Sequence, residues 1–129
     1  MKQSKENTFK RSPCPVANLL DIVGDKWTLL IVRDIIMGKR IYSEFQSSPE
    51  KIPTNILADR LKKLISEGII HKEAYQQKPL RYEYQLTEKG KDLQLVMKSM
   101  VQWSNKHIKG VYSEEEINTF IELGNKEKR

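Results

Sequence analysis

Apolar side chains recur along this chain at two periods, one helical and one alternating. PVANLLDIVG (15–24) opens on Pro15 and closes on Gly24, the punctuation of a helix with a proline in its first turn and a glycine stop. Asp25 is placed to cap a second helix, KWTLLIVRDIIMG, which Gly38 ends. Within it Trp27, Leu30, Ile31 and Ile35 follow the i, i+3, i+4 spacing of a broad buried face. YSEFQSS (42–48) predicts one or two helical turns, and SPEKIPT a tight connection. The stretch 53–66 then predicts an amphipathic helix ended by Gly68. Leu57, Leu61, Leu64 and Ile65 fall within roughly 100° of arc, with Asn55, Ile56, Asp59, Lys62 and Lys63 opposite and Arg60 on the flank.

The period then changes. IIHKEAY (69–75) and RYEYQL (81–86) are β-branched, aromatic and nearly alternating, and QQKPL between them reads as a turn. A lone hairpin is marginal in water, so this one must lean on the helices. Thr87 suits the cap of a long helix over 87–109, whose apolar residues, Leu93 to Ile108, cover more than one face. That surplus predicts contact with a second subunit. Ser113 and Glu116 stand at capping-box spacing ahead of a last helix over 113–124, with Ile117, Phe120 and Ile121 on its apolar side.

Composition places these elements in one helix-rich domain. The chain has 129 residues, 38% apolar and 31% charged. The apolar run 29–37 is interrupted by Arg33 and Asp34, and no run approaches the ~20 residues that cross a bilayer. The N-terminal residues are basic without the apolar stretch of a signal peptide, and a single cysteine excludes an intramolecular disulfide. Together these predict a cytoplasmic protein without membrane contact. The net charge of +6 is unevenly spread. Residues 51–81 carry seven bases against three acids, whereas 113–125 carry four glutamates and no base. Segregation of this kind points to a face for a polyanion.

A short helix, a turn, an amphipathic helix and a hairpin with a basic tip form the plan of a winged helix-turn-helix. The fold class expected is therefore α+β, mostly α, with a two-stranded wing and additional helices for dimerisation. A B-form major groove admits one α-helix, whose exposed side chains near its N-terminus reach base edges. The hairpin carries Lys78 and Arg81 toward phosphates or the minor groove. Taken singly, a lysine-rich helix face is a solvated face and a Lys-Pro turn only a turn; the order of all the elements favours DNA. The alternative is a protein-interaction or small-ligand-sensing module on the same fold without DNA contact. Enzyme readings have little support: His71 and His107 are far apart, and GDK and GKR lack the full spacing of a phosphate loop. No cofactor is implied.

CPVANLLDIVGDKWTLLIVRDI, IPTNILADRLKKLISEGII and YEYQLTEKGKDL, with the later Trp103, resemble the HxlR-type family of bacterial winged-helix transcription regulators, relatives of the MarR group. The likeness spans roughly residues 14 to 107. It implies a homodimer on a two-fold symmetric double-stranded operator, held together by the N-terminal segment and helix 87–109, with 113–124 contributing. It implies a basic arm over 1–12, a DNA-binding and dimerisation unit over 13–110, and a C-terminal helix and charged tail over 111–129. The recognition helix becomes 53–66, and the wing 75–82. The DNA contacts implied are Thr54, Asn55, Asp59, Arg60 and Lys63, joined by Lys78 and Arg81, with Asn55 suited to an adenine and Arg60 to a guanine. Pro53 stands where many members have serine, which leaves the start of this helix open by one residue. Some members use a cysteine at the position of Cys14 as a thiol sensor. A nearby helix N-terminus and the upstream Lys10 and Arg11 favour such reactivity, and the alternative is a small apolar contact.

Overall fold

The computed structural model describes residues 11–127. The basic arm expected over 1–12 therefore lies outside the described residues except for Arg11 and Ser12, as do residues 128 and 129 of the tail. Seven helices and one two-stranded sheet are described: α1 (Pro15–Val23), α2 (Thr28–Ile36), α3 (Tyr42–Gln46), α4 (Thr54–Ser66), β1 (Ile70–Gln77), β2 (Leu80–Leu86), α5 (Glu88–Lys91), α6 (Leu93–His107) and α7 (Glu114–Glu127).

One core joins the helix-turn-helix to the wing. Ile31, Val32 and Ile35 of α2, Phe45 of α3, and Leu57, Leu61 and Leu64 of α4 are buried together with Ile69, Ile70 and Leu93. The stripe predicted for α4 is thus core, and Ile56, expected on its polar side, packs against the core as well. The strands pair antiparallel from Ile70↔Leu86 to Gln77↔Leu80, with an irregularity between Ala74 and Gln76. They run further toward the tip than expected, which leaves Lys78 and Pro79 as the whole turn. The wing is held in two ways. Tyr84 meets Phe45 edge to face at 6.0 Å, and its amide donates to the Arg40 carbonyl at 2.7 Å.

A buried polar network ties α2 to the α3–α4 turn. Asp34 and Ser48 are each 2% exposed, and the Ser48 hydroxyl donates to the Asp34 carboxylate. Arg33 donates to Asp34 through Nε and Nη2, and grips both carboxylate oxygens of Glu50 at 2.7 and 2.8 Å. Lys39 lies 3.6 Å from Asp34. Three residues past Ser48, Lys51 adopts φ 59°, a left-handed conformation uncommon for a residue with a Cβ.

Local capping follows the sequence closely. Thr87 Oγ1 accepts from the Gly90 amide at 3.0 Å. Ser113 and Glu116 form the reciprocal box, at 2.9 and 3.1 Å. Two expectations change. The single helix over 87–109 is two helices, α5 and α6, divided at Asp92, and Gly90 of α5 lies so close to the Ile69 carbonyl that a Cβ would collide with it. Gly124 does not end α7. It lies inside the helix against the Met37 carbonyl and Gly38, where again no Cβ fits, and the Asn125 amide donates to the Ile36 carbonyl at 3.1 Å.

Large apolar side chains remain exposed on three helices: Val16 and Leu20 on α1, Leu95, Met100 and Trp103 on α6, and Leu123 on α7. Among the described residues no helix is long and apolar enough to cross a membrane.

Leu61→Ala should destabilise the protein by ~2–5 kcal/mol, the cost of a cavity at a buried leucine. Urea unfolding followed by circular dichroism measures it, and a midpoint equal to wild type would remove α4 from the core.

Candidate nucleic-acid interface

The surface of interest is built on α4 and the turn before it. Pro53 takes the N-cap position with ψ 142°, so Thr54 is the first helical residue, one later than the expected start at 53. The Tyr42 hydroxyl of α3 donates to the Thr54 carbonyl at 3.0 Å, which fixes the start of α4 against the preceding helix. Thr54, Asn55, Ala58, Asp59 and Lys62 are exposed, and their spacing of one, three and four places them along one side of the helix. Ser43 and Gln46 of α3, Ser47 just after it and Lys51 of the turn are exposed too.

Of the seven residues expected to meet DNA, Thr54, Asn55 and Asp59 share this face. Lys78 and Arg81 are exposed at the tip of the wing, in and just after its turn. The other two are engaged elsewhere. Arg60 Nε lies 2.9 Å from Asp25 Oδ2, and its Nη1 donates to Asp59 Oδ2 at 2.5 Å. Lys63 Nζ donates to the Asp21 carbonyl at 3.2 Å. In this structure both are braces from α4 to the α1–α2 region. Lys62, outside the expected contacts, supplies the exposed cation of the α4 face; it stands seven residues after Asn55, a spacing already visible in the sequence. Lys51 gave no comparable signal, because its exposure comes from the turn.

Asp25 is the hub of the brace. Its carboxylate accepts from the Trp27 and Thr28 amides at 3.1 and 3.2 Å, from the Thr28 hydroxyl, and from Arg60. Asp25 was expected to be the N-cap itself; α2 starts later, at Thr28 with Trp27 as N-cap, and the Asp25 carboxylate instead satisfies the first amides from two residues upstream while anchoring α4. Burial works to raise the Asp25 carboxyl, but the Thr28, Arg60 and Trp27 hydrogen bonds and the Arg60 charge outweigh it and lower it to about 2. The hydrogen bond to Asp25, ahead of the opposing effect of burial, pushes Arg60 up in turn. In the Asp34 network, burial would lower Arg33, but Glu50 and Asp34 overcome it and raise it; Glu50 is lowered chiefly by its bond to Arg33.

Cys14 is exposed at the N-cap position of α1, and its carbonyl accepts from the Asn18 amide and side chain. Arg11 pairs with Asp21 at 2.8 Å and donates to the Ala17 carbonyl. Lys10 lies outside the described residues. Among the described residues no group of three or more His, Cys, Asp and Glu side chains could hold a metal ion.

Comparison with known proteins adds a family. Residues 22–112 match the family described as HxlR-like helix-turn-helix. Over 94 residues the chain is 39% identical to YdeP of Bacillus subtilis (strain 168), named as an HTH-type transcriptional regulator, with 73% of each chain covered. Its fold is similar to that of the redox regulator HypR in its oxidized form, at 35% identity and TM-score 0.66, covering 73% of this chain and 97% of that one. The transcriptional regulator YodB from B. subtilis, in its reduced form, is 27% identical with TM-score 0.64, covering 78% of this chain and all of that one.

The Asp25 brace predicts an acid-labile contribution to stability. The folded value near 2 lies below the ordinary 3.8, so the contribution is complete above about pH 4 and is lost as pH falls toward 2. Asp25→Asn should lower stability at pH 7 and reduce the difference from wild type on acidification. Thermal melts from pH 7 to pH 2 test this, and a constant difference between the two proteins would exclude it.

Proposed function

The chain belongs to the HxlR-like helix-turn-helix family of DNA-binding transcriptional regulators, and on that premise we propose that it reads a two-fold symmetric operator as a homodimer, with α4 in the major groove and the wing on the backbone or minor groove. The observation that carries this reading is the exposed side of α4, where Thr54, Asn55, Asp59 and Lys62 stand clear of the core with Lys51 just before them. Asn55, in the first turn, is the base reader, suited to paired hydrogen bonds with an adenine. Asp59 accepts from a cytosine amine or holds Arg60. Arg60 and Lys63 act from behind, by fixing the angle at which α4 leaves the body, and each meets DNA only by giving up its present partner. Lys78 and Arg81 supply phosphate contacts that carry no sequence information.

Dimerisation is supported by the apolar side chains that α1 and α6 leave in water, together with Leu123 of α7. Residues 13–110 would then hold both the reading head and most of the interface. Cys14 opens α1, so its oxidation would act on that interface directly. The similarity to HypR, a redox regulator, supports a sensing role for a thiol here. With one cysteine, any disulfide formed on oxidation joins two subunits or a small thiol.

Four variants and an oxidant test the reading. Asn55→Ala should cost ~1–3 kcal/mol on a selected operator and little on random duplex, measured by mobility shift. Unchanged discrimination would exclude the groove assignment. Lys78→Ala and Arg81→Ala should weaken all duplexes alike and flatten the salt dependence, by about 0.9 in log–log slope for each phosphate no longer neutralised. Diamide should change the operator affinity of the wild type and not of Cys14→Ser; an equal response in both would end the sensor proposal.

A further inference from the structure

α7 lies outside residues 22–112, the stretch that matches the family, and it forms one wall of a half-open cavity. The space between α2, α6 and α7 has a volume of about 370 Å³, within the range of small-ligand sites. Its wall is chiefly apolar, with Leu30 and Met37 on one side, Met97 and Val101 on the second, and Ile117 and Ile121 on the third. Water in such a space is released favourably by an apolar body. The charged groups on the wall are two cations, Arg33 and Lys98, and one carboxylate, Glu114. Lys98 makes no ion pair among the described residues. Arg33 is already met by Asp34 and Glu50, so Lys98 is the wall cation free to receive an anion.

Arg33 has a second attachment. It contributes to the cavity wall, and its guanidinium holds both oxygens of Glu50 at the turn that leads into α4. We propose that the cavity takes a small apolar molecule with one acidic group, seated with its acid on Lys98, and that Arg33 passes its arrival to the α3–α4 turn. A new anion on this wall competes with Glu50 and Asp34 for Arg33, and a body packed against the arginine stem presses on the same side chain. Either effect loosens the grip on Glu50 and with it the setting of α4. The biological meaning rests on the DNA-binding reading above, but the cavity and its link to the turn can be measured with no DNA present.

The probes are 1-anilinonaphthalene-8-sulfonate and its uncharged skeleton, N-phenyl-1-naphthylamine, titrated by fluorescence into the whole protein. The sulfonate should bind roughly fivefold more tightly than the neutral probe, the effect of one partly exposed ion pair. Lys98→Ala should erase that preference, and Ile117→Trp, which fills the cavity, should remove the site. Lys98 is exposed, so its variant decides the matter even if Ile117→Trp fails to fold. Amide hydrogen exchange over residues 47–53 should quicken when the sulfonate saturates. Equal affinity for the two probes, or binding that survives in folded Ile117→Trp, would place them on the exposed apolar faces and overturn the proposal. So would affinity that falls as protein concentration rises, which gives the cavity to a second copy. Unchanged exchange at 47–53 would overturn the link through Arg33. The expected probe binding in a protein that shifts no duplex supports the cavity and counts only against the recognition-helix reading.

Discussion

Asp34 is a carboxylate withdrawn almost completely from water, and burial of an unpartnered charge costs several kcal/mol. The chain meets that cost by bringing Arg33, Lys39 and Ser48 to it, and each partner recruits structure. Ser48 draws in the end of α3. Arg33, once committed to Asp34, is positioned to grip Glu50. The turn between the two helices of the motif is thus stitched to α2 by polar contacts at two places, and the start of α4 follows from where that turn is held. Apolar packing alone would permit small sliding of α4 over Leu57, Leu61 and Leu64. Directional bonds to a buried charge do not.

A second ion pair divides labour along α4. The side that faces the body carries Arg60 and Lys63 as braces, and the exposed side carries shorter or freer groups. The helix therefore keeps fewer available cations than its composition promises. In the proposed reading, a face with one free lysine and an asparagine would depend more on hydrogen-bond geometry than on charge for its discrimination, and would leave the general attraction to DNA to the turn and the wing. The brace and the capping of α2 converge on one side chain, Asp25, so the angle of α4 is coupled to the start of α2.

The features legible in the sequence were those whose causes are local. Thr87 and Ser113 with Glu116 cap their helices, and Asp25 binds the Trp27 and Thr28 amides ahead of α2, because the groups they bind lie within three residues. The apolar stripe of α4 and the alternation of the wing record burial on one face, and so the winged-helix plan could be read directly. The exposure of Thr54, Asn55 and Asp59 on one side of α4 was visible from periodicity, and that of Lys78 and Arg81 from their place at the hairpin tip. The bracing contacts of Arg60 and Lys63 were not legible because their partners lie 35 and 42 positions away, a distance over which helical spacing carries no information. The break at Asp92 and the continuation of α7 through Gly124 escaped for a related reason. Gly90 and Gly124 are glycines of contact, required by a neighbouring carbonyl from elsewhere in the fold, and nothing in their own segments distinguishes them from glycines that end a helix.

The meeting of Gly124 with Met37 and Gly38 also constrains how the last helix can respond to its surroundings. Backbone touches backbone there, without side chains to interdigitate. Sliding α7 by one residue would bring Leu123 or Asn125 to the position where no Cβ fits, so translation is blocked in both directions. At its other end α7 is tied to α6, where Asn105 Oδ1 accepts from the Glu114 amide at 3.2 Å, so the helix is fixed at the close of α2 by backbone contact and at its start by a side chain.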